Sequence, residues 1–127
     1  MATEIIITLK EIIIHAELFD TPCAKAIANV LPIEARPNEW GDEFYFTIPV
    51  EISLDETSTR EVKAGDIGYW PPGNALAIFF GPTPLSSGID PVPASEVNLV
   101  GRITDDAALL RKAKGAVKIK IEKNIDC

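Results

Sequence analysis

The sequence has little sulfur. Two cysteines, Cys23 and Cys127, and one methionine occur in 127 residues. Two cysteines at opposite ends are not a disulfide framework, and no second Cys or His lies close enough to either to suggest a metal knuckle. A single histidine, His15, leaves no Ser-His-Asp or Cys-His pattern and only a guess at a metal site, so no metal and no cofactor are expected. Basic residues are in deficit, with 12 Lys and Arg against 19 Asp and Glu and a net charge of −7. That balance excludes the basic footprint that nucleic acids and anionic membranes require. No apolar run approaches the roughly 18 residues of a membrane span. Met1-Ala2-Thr3-Glu4 lacks the basic stretch of a secretory leader, so a cytoplasmic protein is expected. Glycine-rich phosphate loops, internal repeats and low-complexity tracts are also missing.

What is present suits a single folded domain over residues 1–127. Hydrophobic residues make up 46% and charged residues 24%, an ordinary globular balance. A chain of this size buries enough surface to fold without crosslinks.

Ile5–Leu9 and Ile12–Phe19 are β-branched-rich runs, read as strands with a Lys10-Glu11 turn between them. In the second run Ile12, Ile14, Ala16 and Leu18 share one face, and His15 and Glu17 fall on the other, solvated one. Thr21-Pro22 has the form of an N-cap followed by an N1 proline. The helix it opens runs to about Val30 or Leu31, with Pro32 as its stop and Ala24, Ile27, Ala28 and Leu31 on its apolar face. Cys23 on this helix is either buried or a thiolate near the helix N-terminus.

Strand patterns resume at Ile33. Glu43–Ile48 alternates, and Val50, Ile52 and Leu54 continue the period beyond Pro49, which marks a bulge or an edge. Asp55–Thr59 is a polar loop. Strands follow at Asp66–Trp70, Ala75–Phe80, Glu96–Thr104 and Ala116–Glu122. Asp105 is placed to cap a short helix over Asp106–Lys114 that ends at Gly115. Seven or eight short strands and two helices describe a mainly β, α+β domain with antiparallel pairing, closed as a small barrel. The Gly81–Ser95 connection carries four prolines. Its length makes it a candidate lid.

Four segments, in order, resemble a cyclophilin. They are Glu17-Leu18-Phe19-Asp20 with Pro22 and its helix, Gly65–Trp70, Asn74–Phe80 ending in Phe79-Phe80, and Val97–Ile103. The chain is more similar still to small prokaryotic cyclophilin-like proteins. Trp40-Gly41-Asp42-Glu43-Phe44-Tyr45-Phe46, the Gly65–Gly73 stretch and Phe79-Phe80-Gly81-Pro82-Thr83-Pro84 carry that likeness. The resemblance spans residues 4 to 122. It implies a closed eight-stranded β-barrel with two short capping helices, and it implies no activity.

Cyclophilins that isomerise prolyl bonds do so in a groove on the barrel wall, where an arginine bonds the prolyl nitrogen. Pyramidalising that nitrogen removes the amide resonance that makes isomerisation slow. Here Phe80 matches the second phenylalanine of the family's pair and is the candidate floor of a proline pocket. Arg36 lies in the region of the arginine. The family's histidine position falls on Val97, its tryptophan position falls at about Leu85, and its Arg-x-Ile-Pro and Gln-x-Gly-Gly elements are missing. The bulky Tyr69-Trp70-Pro71 replaces small residues over which substrate runs. Weak peptidyl-prolyl isomerase activity, carried by Arg36 and Phe80, is thus an alternative reading.

Binding is the main one. A groove lined by Trp40, Glu43, Tyr45, Tyr69, Trp70, Phe80 and the 81–95 loop would hold a small molecule or an extended peptide. Trp70-Pro71-Pro72-Gly73 reads either as a stiff extended rim that stacks a flat ligand or a proline ring, or as a tight connection whose tryptophan plugs the barrel end. Asp42 and Glu43 should point to opposite faces, so adjacency makes no acid–base pair. Glu43 and Tyr45 share a face that either lines a polar pocket with Trp40 or is solvated. A third possibility is a homo-oligomer or partner-protein module anchored by Trp40 and Trp70. The lysines near the C-terminus, Lys118, Lys120 and Lys123, read as protection of an edge strand.

Overall fold

A computed structural model describes residues 2–124; Cys127 lies outside the described residues. Ten short strands form one antiparallel sheet: β1 (Thr3–Leu9), β2 (Ile12–Leu18), β3 (Ile33–Ala35), β4 (Asn38–Glu39), β5 (Glu43–Thr47), β6 (Ser58–Thr59), β7 (Asp66–Trp70), β8 (Ala75–Phe79), β9 (Val97–Ile103) and β10 (Ile119–Lys123). Their order is β3-β10-β1-β2-β9-β7-β8-β5-β4, with β6 paired to β9.

The sheet curls, but its pairing is open, which corrects the closed eight-stranded barrel. β3 and β4 are its two edges and do not pair. The chain itself crosses between them through Arg36 and Pro37, where proline has no N–H to give to a ladder.

Alternation explains the inner layer. Ile5, Ile7 and Leu9 of β1 and Ile14, Ala16 and Leu18 of β2 are buried, and Lys10 turns the hairpin in the left-handed region at φ 52°. Phe44, Phe46, Ile67, Tyr69, Leu76, Ile78 and Phe80 continue the same core. The helix α1 (Pro22–Ala28) covers it with Cys23, Ala24, Ile27 and Ala28. Thr21 caps α1 by accepting from Ala24 N–H at 3.2 Å. The helix ends before Val30 because Val30 and Leu31 bond back to Ile27 and Ala28, tightening the last turn short of Pro32.

Local readings change, beginning with the short β6 at Ser58–Thr59 inside the expected polar loop. Residues 50–54 form no strand. Beyond Pro49 the backbone is held by side chains instead: Ile52 N–H donates to the Tyr69 hydroxyl, and Asn98 accepts from Asp55 N–H and donates to Ser53 O. The later helix is a 3-10 helix over Ala107–Ala113, and Asp106 rather than Asp105 caps it. Asp105 instead takes the backbone N–H of His15 at 2.7 Å and faces its ring Nδ1 at 2.9 Å. Finally, Pro71–Gly73 is a 3-10 turn closed by Asn74 in the left-handed region, so of the two readings of this stretch the tight connection stands and the extended rim does not.

Candidate functional site: an aromatic pocket on the outer face of the sheet

The outer face of most of this sheet is ordinary surface, but over β5, β8, β7 and β9 it carries a second apolar cluster. Val62, Ala77, Phe79 and Val97 are buried there, with Tyr45 and Trp70 packed against them. Register accounts for the set, since Glu43 lies opposite Phe79 and Tyr45 opposite Ala77, while Gly68 sits opposite Ala77 on the other side. The small Ala77 leaves a hollow in the middle of this face. Val97 leans over Gly68 so closely that a Cβ there would lie 2.7 Å from its Cγ2.

The hollow is a pocket of about 240 Å³ lined by Trp40, Glu43, Tyr45, Trp70, Ala77, Phe79, Pro93, Ala94 and Val97. Two tethers hold the 81–95 loop beside it. At one end Asp42 N–H donates to Pro82 O at 2.9 Å and Phe80 N–H to Asp42 O at 2.9 Å. At the other, Trp70 Nε1–H donates to Ser95 Oγ at 2.6 Å. Between them the buried Thr83 hydroxyl bonds Val92 O, and Ser86 Oγ donates to Asp90 O at 2.8 Å. The loop is therefore a braced wall.

Gly41 makes the first tether possible. It turns with φ 61°, and a Cβ there would meet Pro82 O, Thr83 Cα and Pro84 Cδ at 2.9 Å. The turn it forms, with Trp40 N–H bonded to Glu43 O, sets Trp40 and Glu43 at the pocket.

Glu43 is the unusual member. It is only 7% exposed, and its Oε1 meets no hydrogen-bond partner among the described residues. A buried polar group without a partner is costly. Burial alone pushes its carboxyl from 4.5 up to about 7. Its neighbour Asp42 points elsewhere, as alternation requires. Burial pushes Asp42 up too, but Lys114 at 2.7 Å and Arg111 at 3.0 Å outweigh that and hold it below the usual carboxylate range.

Of the residues expected to line a groove, the structure brings together Trp40, Glu43, Tyr45 and Trp70. Tyr69 and Phe80 are not among them. Both alternate inward, where Tyr69 is fully buried and donates its hydroxyl to Val50 O. Phe80 stacks on Phe44 with ring centroids 4.9 Å apart. Arg36 is exposed at the crossing between the sheet edges and is not in the pocket lining, so the two isomerase candidates do not share the site. Phe79, Ala77 and Val97 were missed as lining residues. The period of two that puts Phe80 inside puts Phe79 outside, and applying it to β8 finds two of the three. Among the described residues, no group of three or more His, Cys, Asp or Glu side chains could hold a metal ion.

A curled antiparallel sheet with a helix over its inner core is the architecture of the cyclophilin-like domains. The family model described as Cyclophilin-like matches residues 3–122, and the chain belongs to that family. The solution structure of a hypothetical protein from Archaeoglobus fulgidus is similar along nearly its whole length. It is 35% identical, with 96% of this chain and 95% of that chain covered and a TM-score of 0.79. No curated protein matches the chain. No helix among the described residues is long and apolar enough to cross a membrane.

Proposed function

We propose that this cyclophilin-like domain is a binding module that takes a small molecule in the outer-face pocket. The observation that carries the reading is the construction of the pocket. A sheet face that could have been solvated is instead hollowed at Ala77, walled by Trp40, Tyr45, Trp70 and Phe79, and flanked by a loop tied at both ends. Mostly apolar walls with one polar group are the usual make-up of ligand sites. A volume of about 240 Å³ is below the ~300–1,000 Å³ of drug-sized sites and suits a compact molecule better than an extended peptide. Trp40 and Trp70 are half-buried in the pocket wall, which favours a ligand-facing role over that of protein-interface anchors.

Both tryptophans of the chain line the pocket, so they report on it directly. A panel of small fragments titrated into labelled protein should move the two indole N–H signals together with the amides of Glu43, Tyr45 and Phe79. A panel that leaves them still, or shifts only signals elsewhere, overturns this reading.

A further inference from the structure

We propose that the pocket selects a compact organic cation, whose ammonium head pairs with the Glu43 carboxylate while its alkyl groups lie against Trp40, Tyr45 and Trp70. This rests on the outer-face pocket being a binding site and names the chemistry that it takes. Three observations converge on it. First, the Glu43 side chain is more than nine-tenths buried, and Oε1 has no partner among the described residues. A fold that has bonded its other buried polar side chains, Asn98 and Thr83, leaves this one acceptor for something else.

Second, the walls around it are aromatic. Ring faces carry negative potential and attract cations, and an ammonium ion between rings and a carboxylate is favoured by both. An anion would meet the carboxylate and ring faces of the same sign. A neutral donor could bond Oε1 but would gain nothing from the rings' attraction for charge, and a neutral molecule without a donor would leave the carboxylate unpaired or force it to hold a proton.

Third, no cationic side chain among the described residues lines the pocket. The nearby bases Arg111 and Lys114 are engaged by Asp42, which alternation sends away from Glu43. The net charge of −7 adds a long-range bias toward cations.

Two molecules of the same shape test the charge. Choline and its uncharged isostere 3,3-dimethylbutan-1-ol, with n-butylammonium as a second cation, are titrated into the full chain at pH 8. Calorimetry and the two indole signals are the readouts. The expected result is that a cation binds about tenfold or more tighter than the isostere. Glu43→Gln should remove that preference, and Tyr45→Leu should reduce it while leaving the fold's amide spectrum intact.

Equal binding of choline, butylammonium and the isostere, or cation binding unchanged in both variants, overturns the cation proposal and leaves the pocket standing. Silence toward all three compounds, while other fragments move the indoles, also overturns it and leaves the pocket standing. Silence toward every compound overturns both readings.

Discussion

Asp42 and Glu43 are adjacent in the chain, yet one carboxylate is held ionised by Lys114 and Arg111 while the other is buried at an aromatic pocket with an oxygen unpartnered. The pleat separates them. One residue braces the 81–95 loop against the 3-10 helix and its following lysine, and its neighbour sets the chemistry of the pocket.

Glu43 should make folding stability fall as pH rises. The unfolded carboxyl titrates near 4.5 and the folded one at about 7. Below 4.5 both states hold the proton. Between 4.5 and 7 the unfolded state releases it first, so stability is lost across that window and levels off above it, by about 3 kcal/mol in all. Urea unfolding of the wild type and Glu43→Gln at pH 4 and pH 8.5 measures this. The variant should gain relative to wild type at the higher pH, and a difference independent of pH would contradict the burial argument.

Asp42 should behave in the opposite sense. Its carboxyl is lowered, because its bonds from Lys114 and Arg111 outweigh the burial that raises it. Its contribution is present above the unfolded value of 3.8 and is lost as pH falls through the lower folded value. Asp42→Asn should cost about 1–3 kcal/mol at neutral pH and progressively less in strong acid. It should also free Lys114, whose ammonium lies 5.9 Å from the Phe80 ring centroid. Chemical denaturation across pH, with the Phe80 ring signals as a local report, checks both effects.

Tyr69→Phe separates core from pocket. The hydroxyl donates to Val50 O and accepts from Ile52 N–H, so its loss leaves two backbone groups of a strandless segment without a partner. We expect about 1–2 kcal/mol of destabilisation. Binding at the outer-face pocket should be unchanged, because Tyr69 faces the other side of the sheet. A binding defect matching that of a pocket variant would move Tyr69 back into the site.

Prolyl isomerisation should be no faster with the protein than without it. The pocket offers a carboxylate and no guanidinium, and Arg36 lies outside it. The hydrogen bond to the prolyl nitrogen that lowers the amide barrier therefore has no donor of that kind. Exchange spectroscopy on a short Xaa-Pro peptide measures the rate with and without protein. Acceleration that disappears in Arg36→Ala would reinstate the isomerase reading.

Much of the fold was legible in the sequence because alternation is a strong local signal. β1, β2, β7 and the capped start of α1 fall where the pattern of Ile, Thr21-Pro22 and Asp66–Trp70 put them. The failures are tertiary. Val50, Ile52 and Leu54 keep the period of a strand, yet their backbone bonds go to Tyr69 and Asn98 from distant parts of the chain. Asp105 has the right place for a cap and is drawn off by His15. At the site, Glu43 and Tyr45 were legible as one face of β5 and the 81–95 loop as part of the lining, but not that only Pro93 and Ala94 of that loop reach it or that Glu43 is buried there. The family likeness at Phe79-Phe80 points to Phe80 as a pocket floor, whereas the pleat by itself sends Phe80 inward and Phe79 out.

β10 lies between β1 and β3, with Ile5 opposite Lys123 and Ile33 opposite Ile121. The two earliest parts of the sheet are thus joined only by its last strand. Until residues 119–123 pair, β3 and the outer edge of β1 have no ladder partner among the described residues. Pairings this distant in sequence close slowly, and exposed edges invite association with other chains meanwhile. Loss of this strand would therefore release β3 from its one ladder partner among the described residues and expose one side of β1, so a single short segment near residue 120 holds two distant parts of the sheet together.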